Sequence, residues 1–204
     1  MSTTTSGALK SAANSPVSTR DRILGAATEL FYAHGIRAVS ADKIIDRVGI
    51  TKVTFYRHFR TKDDLVVAYL ELQAAREREA IDAIRESAAG AADAFHAFAQ
   101  MIGTASCQPG FRGCAFINAA AEYADPETAV RKVVADHRAW YRETFAAMLD
   151  RMGAKEAEDA ADEVLMLRDG AMVAGYLSEA SRVGRTLDAA IFAVASAHGA
   201  AAPR

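Results

Sequence analysis

The stretch Ser40–Phe59, SADKIIDRVGITKVTFYRHF, constrains this chain more than any other. It reads as two short helices around a tight turn. Ser40 is placed to N-cap the first, its hydroxyl accepting from free backbone N–H groups. Ala41, Ile44, Ile45 and Val48 then fall on one face at helical spacing. Gly49 follows, where a helix exits through a left-handed conformation that other residues resist. Thr51 caps the second helix. At about 100° per residue, Phe55 and Phe59 share one side of it, and Val53, Thr54 and Arg57 point the other way. Tyr56 and His58 lie on the flanks between. A helix laid in a DNA major groove needs this distribution, with floor residues for base edges and flanking donors for phosphates. Lys62 opens the next helix, where a cation and free N–H groups together suit a phosphate. Tyr56, His58 or Lys62 alone would be an ordinary surface residue. Cap, glycine turn and aromatic face in register make the pattern specific.

Residues from about Thr19 to Leu65 resemble the N-terminal domain of the tetracycline-repressor (TetR) family. The matching parts are RDRILGAATELFYAHG, then SADKIIDRVGITKVTFYRHF and TKDDL, with T-x-x-T-F-Y-x-H-F and K-x-x-L the most specific. Val48 departs from a usually smaller residue, and Val53 from a frequent Gly or Pro; the second bears on which base step is read. The resemblance implies a dimeric, ligand-responsive regulator, usually a repressor, on a near-palindromic operator in double-stranded DNA. Val53, Thr54 and Arg57 would then meet bases, and Ser40, Lys52, Tyr56, His58 and Lys62 phosphates.

Charge supports this division. Residues 1–62 carry ten Lys/Arg and four Asp/Glu, a balance of +6; residues 63–204 carry fourteen and twenty-two, a balance of −8. A basic small domain on an acidic larger one suits polyanion binding by the first only. Sparse Gly and Pro, abundant Ala and 8% aromatics favour an all-α chain. We expect a disordered tail over 1–18, a DNA-binding domain over 19–65, and a helical effector-binding and dimerisation domain over 66–204. In the tail region, Lys10 or Arg20 would serve any DNA-touching arm. No apolar run approaches the roughly 20 residues of a membrane span, and no secretory signal opens the chain, so a cytoplasmic protein is expected.

Helices are expected over about Thr19–His34, Thr61–Ala89, Ala91–Ser106, up to Met152, Ala154–Arg182 and Thr186–Ala200. In the first, Ile23, Ala26, Ala27, Leu30 and Phe31 form the buried stripe. The charged run REREAIDAIRE lies on the long helix that would connect the two domains. The segment VLMLRDGAMVAGYL is apolar almost all round, which marks deep burial or an interface. With the final helix it would form a four-helix dimer contact through Val164, Leu167, Ala171, Met172, Gly175, Leu187, Ile191 and Val194.

An effector pocket would be lined by Phe95, Phe98, Phe116, Trp140 and Tyr141, with Asn118, Glu122, Arg168 and Tyr176 as orienting polar groups. The effector itself, mainly apolar, does not follow from the sequence. Cys107 and Cys114 flank a turn and offer a thiol-sensing alternative. A small thiol enzyme using one of them with His96 is a third reading, without a nucleophile elbow, phosphate loop, cofactor motif or metal motif to support it.

Overall fold

Side-chain caps set where the helices begin. Ser18, Ser40, Thr51, Thr61 and Thr128 each accept from a backbone N–H in the first turn, and Thr61 with Asp64 forms a reciprocal capping box. The computed structural model describes residues 17–177 and 179–200. Nearly all of the expected tail, with Lys10, lies outside the described residues; Arg20 is helical, its guanidinium 5.1 Å from the Phe59 ring centroid. Among the described residues the chain is all-α. In order come α1 (Thr19–His34), α2 (Ala41–Val48), α3 (Lys52–His58), α4 (Lys62–Ser87), α5 (Ala91–Ser106), α6 (Ala115–Glu122), α7 (Ala129–Arg151), α8 (Ala157–Leu177) and α9 (Val183–Ala197). A short 3-10 turn, Ala180–Arg182, joins the last two. No helix among the described residues is long and apolar enough to cross a membrane.

Helices α1 to α3 form a head around one apolar cluster. Ile23, Ala27 and Phe31 of α1, Ile44 and Ile45 of α2, and Phe55 and Phe59 are buried together with Leu65 of α4. Phe31 meets Tyr69 of α4 edge-on at 5.7 Å, which seats the head on the long helix. Gly49 takes φ 71°, the left-handed exit that lets the chain turn from α2 into α3. The expected boundary at residue 65 falls inside α4, a single helix that belongs to both parts.

In the larger part, α7 packs along α8, α4 and α6, while α5 packs along α9 and α4. Phe95 and Phe98 meet Phe145 at 5.8 and 5.2 Å and fill the space between α5 and α7. The end of the chain differs from expectation. Helix α8 stops at Leu177, not Arg182, and α9 starts at Val183, not Thr186. The reason is burial: Val183 is sealed from solvent, and Gly184 lies inside the first turn of α9 against α5. Gly184 therefore serves a helix crossing, not a helix end. A Cβ built on Gly103 would sit 2.8 Å from the Gly184 Cα and 2.9 Å from its N.

This crossing generates a prediction. Gly103→Ala should destabilise the fold by about 1–3 kcal/mol, because backbone cannot move aside as a flexible side chain does. Gly25→Ala, on the exposed face of α1 with nothing within 4 Å of its added methyl, should instead stabilise by about 0.5–1 kcal/mol. Urea unfolding of the two variants measures both signs.

Candidate functional site

Helix α3 is held by its two ends and its inner face, and shows solvent the rest. Phe55 and Phe59 are buried, and Thr51 Oγ1 accepts from Thr54 N at 3.2 Å. Outward, Val53 is 79% exposed and Tyr56 49%. Arg57 and Lys52 are exposed, Thr54 half-buried. Val53 and Arg57 thus share one open surface, with Tyr56 beside them braced edge-on at 5.2 Å against Phe55. An apolar group of this exposure has no partner within the fold.

The flanking residues separate into free and committed groups. The Lys52 ammonium pairs with Asp42 at 2.9 Å on the surface; that carboxylate holds it above the ordinary lysine range. Both groups remain exposed, so the pair can open to a phosphate. Ser40 Oγ accepts from Lys43 N at 3.3 Å and stays at the surface. His58 is half-buried with Nε2 sealed and unpaired. Lys62 departs from expectation. Its Nζ donates to the Ile36 carbonyl at 2.6 Å, and burial lowers its pKa. It ties α4 to the loop after α1, and a phosphate role for its ammonium requires that tie to break.

Below the head, α6 and its flanking turns form a clasp. Glu122, the last residue of α6, accepts from Ile36 N at 2.8 Å and Arg37 N at 2.6 Å. The Tyr32 hydroxyl donates to Gly113 O at 3.0 Å and accepts from Arg112 N at 2.9 Å. The Tyr123 hydroxyl donates to Asp63 at 2.6 Å, which with burial raises its own pKa. Glu122 was expected in a ligand pocket; it instead satisfies two backbone donors of the head. Asn118, expected in the same pocket, is exposed and donates to Arg112 O at 2.9 Å.

A cavity of about 260 Å³ opens between α6, α7 and α8. Phe116, Tyr141 and Arg168 line it, joined by His137, Val134 and Leu165. Phe95 and Phe98 do not reach it, being spent on the α5–α7 core. Trp140 lies behind His137 at 5.6 Å, and Tyr176 is exposed beneath the Arg112 guanidinium at 5.3 Å. The charge at the cavity's base was not anticipated. Glu77 of α4 accepts from the Tyr141 hydroxyl at 2.8 Å, from His137 Nε2 at 3.1 Å and from Arg168 Nη2 at 3.3 Å. Burial alone would raise the Glu77 carboxyl; the His137 hydrogen bond and the Arg168 charge outweigh it and hold it below the usual glutamate range. Glu77 is therefore an acceptor only, and the His137 nitrogen facing it carries the proton. Burial, with Glu77 beside it, pushes the Tyr141 phenol up, so its hydroxyl stays a donor.

The two thiols differ in exposure. Cys107 is exposed and Cys114 buried, with Arg168 Nη1 donating to Cys114 Sγ at 3.1 Å. His96 bonds Asp188 at 2.6 Å and stacks on Phe192, so it is no hydrogen-bond partner of either cysteine.

The residues expected at a dimer contact are mostly turned inward. Val164, Met172, Gly175, Leu187 and Ile191 are buried within the protomer, and Leu167, Ala171 and Val194 half-buried. A Cβ on Gly175 would meet Ser106 Oγ at 2.5 Å, so that glycine admits the end of α5, not a second chain. The outward stripe of α8 is Met166, Gly170, Val173 and Leu177, at spacings of three and four.

Because Glu77 is acceptor to three buried donors, Glu77→Leu should cost about 3–5 kcal/mol near neutral pH. The sign with pH follows from the lowered pKa. The stabilisation is present above the ordinary carboxyl value of 4.5 and is lost as pH falls through the lower folded value. The gap between wild type and variant, measured by urea unfolding, should close on acidification.

Comparison with known proteins agrees with this geometry. The family description "Bacterial regulatory proteins, tetR family" matches residues 23–69. The crystal structure of a TetR-family transcriptional regulator from Streptomyces coelicolor is 40% identical in sequence, with a TM-score of 0.84 over 88% of this chain and 95% of that one. The HTH-type transcriptional activator FasR of Mycolicibacterium smegmatis is 40% identical over 52 residues, 26% of this chain and 24% of that protein. The HTH-type transcriptional regulator QacR of Staphylococcus aureus is 33% identical over 60 residues, 29% of this chain and 32% of that protein. The chain thus spans only about a quarter and a third of these two curated relatives.

Proposed function

The chain belongs to the TetR family of DNA-binding transcriptional regulators, and from that premise we propose a homodimeric repressor that a small effector releases from a near-palindromic operator. The observation that carries this reading is the outer face of α3. Val53, Thr54 and Arg57 are presented there without structural duties beyond the Thr54 cap contact. An exposed valine suits a thymine methyl, and an exposed arginine suits the O6 and N7 of guanine. Ser40, Lys52 and Tyr56 border them as phosphate donors.

One seven-residue helix reads few bases, so useful specificity needs two heads on one duplex. The α8 stripe supplies a surface for a second copy. Met166 and Gly170 of that stripe border a groove of about 460 Å³ whose other wall is α9, with Val173 and Leu177 exposed on the same helix. Exposed apolar side chains at helical spacing, beside a groove lined by the small residues Ala171, Ala174 and Ala190, suit a four-helix contact. Val173→Asp combined with Leu177→Asp should convert a dimer to a folded monomer by sedimentation equilibrium. A dimer that survives both changes would sink this choice of face.

Effector coupling would run through α6. Phe116, Ile117 and Ala120 face the cavity, while Glu122 at the same helix's end grips the head. A ligand that binds better with α6 displaced would favour a head spacing unsuited to the operator. The regulator would act in the cytoplasm, where its DNA is, and no catalytic step is part of it.

The test is fluorescence anisotropy with DNA from upstream of the chain's own gene. Arg57→Ala should lose about 1–3 kcal/mol of discrimination between operator and scrambled duplex. Lys52→Ala should weaken both alike and lower the salt slope by about one. Equal behaviour of wild type and both variants would remove the assignment of this face.

A second reading, thiol sensing, draws on the contact of Cys114 with Arg168 beside the cavity. It requires that peroxide or diamide alter DNA binding and that Cys114→Ser abolish the effect.

A further inference from the structure

The cavity between α6, α7 and α8 has more cationic character than an apolar effector would need. Arg131 and Arg138 stand at its partly exposed mouth and Arg168 at its buried floor. Among the described residues, the carboxylates paired with them number two: Asp169, with Arg138 and Arg168, and Glu77 beneath the floor, with Arg168. Arg131 donates to the Tyr123 carbonyl at 3.0 Å and forms no ion pair among the described residues. Three guanidinium groups against two carboxylates leave one positive charge unmatched.

The floor also carries unmatched hydrogen-bonding capacity. Arg168 is 3% exposed, yet its Nε has no partner. A buried guanidinium N–H left without an acceptor costs free energy that an incoming acceptor would recover. The remaining walls are apolar: Phe116, Val134 and Leu165. Such a lining calls for a molecule with an apolar body and one anionic end carrying two acceptor oxygens.

We propose that this cavity binds a small organic monocarboxylate, its apolar body against Phe116, Val134 and Leu165 and its carboxylate drawn to Arg168 and Arg131. A volume of about 260 Å³, at about 30 Å³ for each water-sized group, admits a molecule on the order of ten non-hydrogen atoms. A single excess charge selects a monoanion over a phosphate dianion. The inference rests on the effector reading above and names its ligand class. It also supplies a reason for movement. A carboxylate on Arg168 would be the third anion at that guanidinium, after Asp169 and Glu77, and would compete with Glu77, which ties α4 to α7 and α8.

The experiment uses the full chain and the emission of Trp140, the only tryptophan, which stacks behind His137. Benzoate and hexanoate are titrated against their neutral counterparts, benzamide and hexanamide. Saturable changes with the acids, and at least about tenfold weaker binding of the amides, are expected. Arg131→Gln, at the mouth and clear of the buried network, should weaken the acids about tenfold and the amides little. Arg168→Lys keeps the charge while removing the Nε–H and should also weaken the acids; thermal melts check that both variants fold. Acids and amides binding alike, or no saturable response to any acid, would overturn the proposal. Operator anisotropy on the same samples separates the two levels. Acid binding with unchanged DNA affinity supports the ligand class and removes release by effector. Intact operator binding without acid binding removes the ligand class alone.

Discussion

One half-buried carboxylate, with three buried donors, organises the larger half of this molecule. Glu77 sits on α4 and takes donors from α7 and α8 at once. Its pair with Arg168 is tolerable only while both partners stay in place, because separation strands the charge of the buried Arg168. The requirement fixes the position of α4 relative to the cavity walls more sharply than apolar packing would, since Leu and Ile contacts tolerate sliding. His137, stacked on Phe116 at 3.7 Å, extends the same constraint to α6. Three walls of the cavity thus meet at a single charged centre.

The head is attached by polar contacts of a different kind. Glu122, Tyr32 and Lys62 bond to backbone groups of the loops they bridge. Backbone partners make the joint insensitive to which side chains those loops carry, while leaving it dependent on where α6 ends. Helix α6 is only eight residues long, so a change at its cavity face is never more than two turns from the clasp. Local cost and distant effect are therefore linked by a short rigid rod.

Local chemistry was legible in the sequence, and long-range chemistry was not. The caps at Ser40 and Thr51, the Gly49 exit and the Phe55/Phe59 face depend on neighbours within four residues, and the structure has each of them. Glu77 lies in a run of charges that reads as a solvated face; its partners are 60 to 91 residues away in the chain. The phase of α8 was unreadable for another reason. With apolar residues all round, the pattern does not say which side meets the protomer core, and Met172 and Gly175 were assigned outward when they point in. Gly184 shows a third limit, since glycine between helices signals a break or a close crossing by the same letter. Lys62 sits where the resemblance put it, but the nearby Ile36 carbonyl captures its ammonium.

In α3 the residues that hold the helix and those that face outward are almost disjoint. Phe55, Phe59 and Thr51 do the first; Val53 and Arg57 touch nothing that the fold requires. Substitutions at the outward positions leave the apolar cluster of the head intact and fall in the range of ordinary surface changes, within about 0.5 kcal/mol. A lineage carrying this head can therefore exchange its outward chemistry one residue at a time without approaching the threshold below which the fold is lost. Binding preference is free to diverge between duplicated copies while the scaffold stays under separate and much stricter selection.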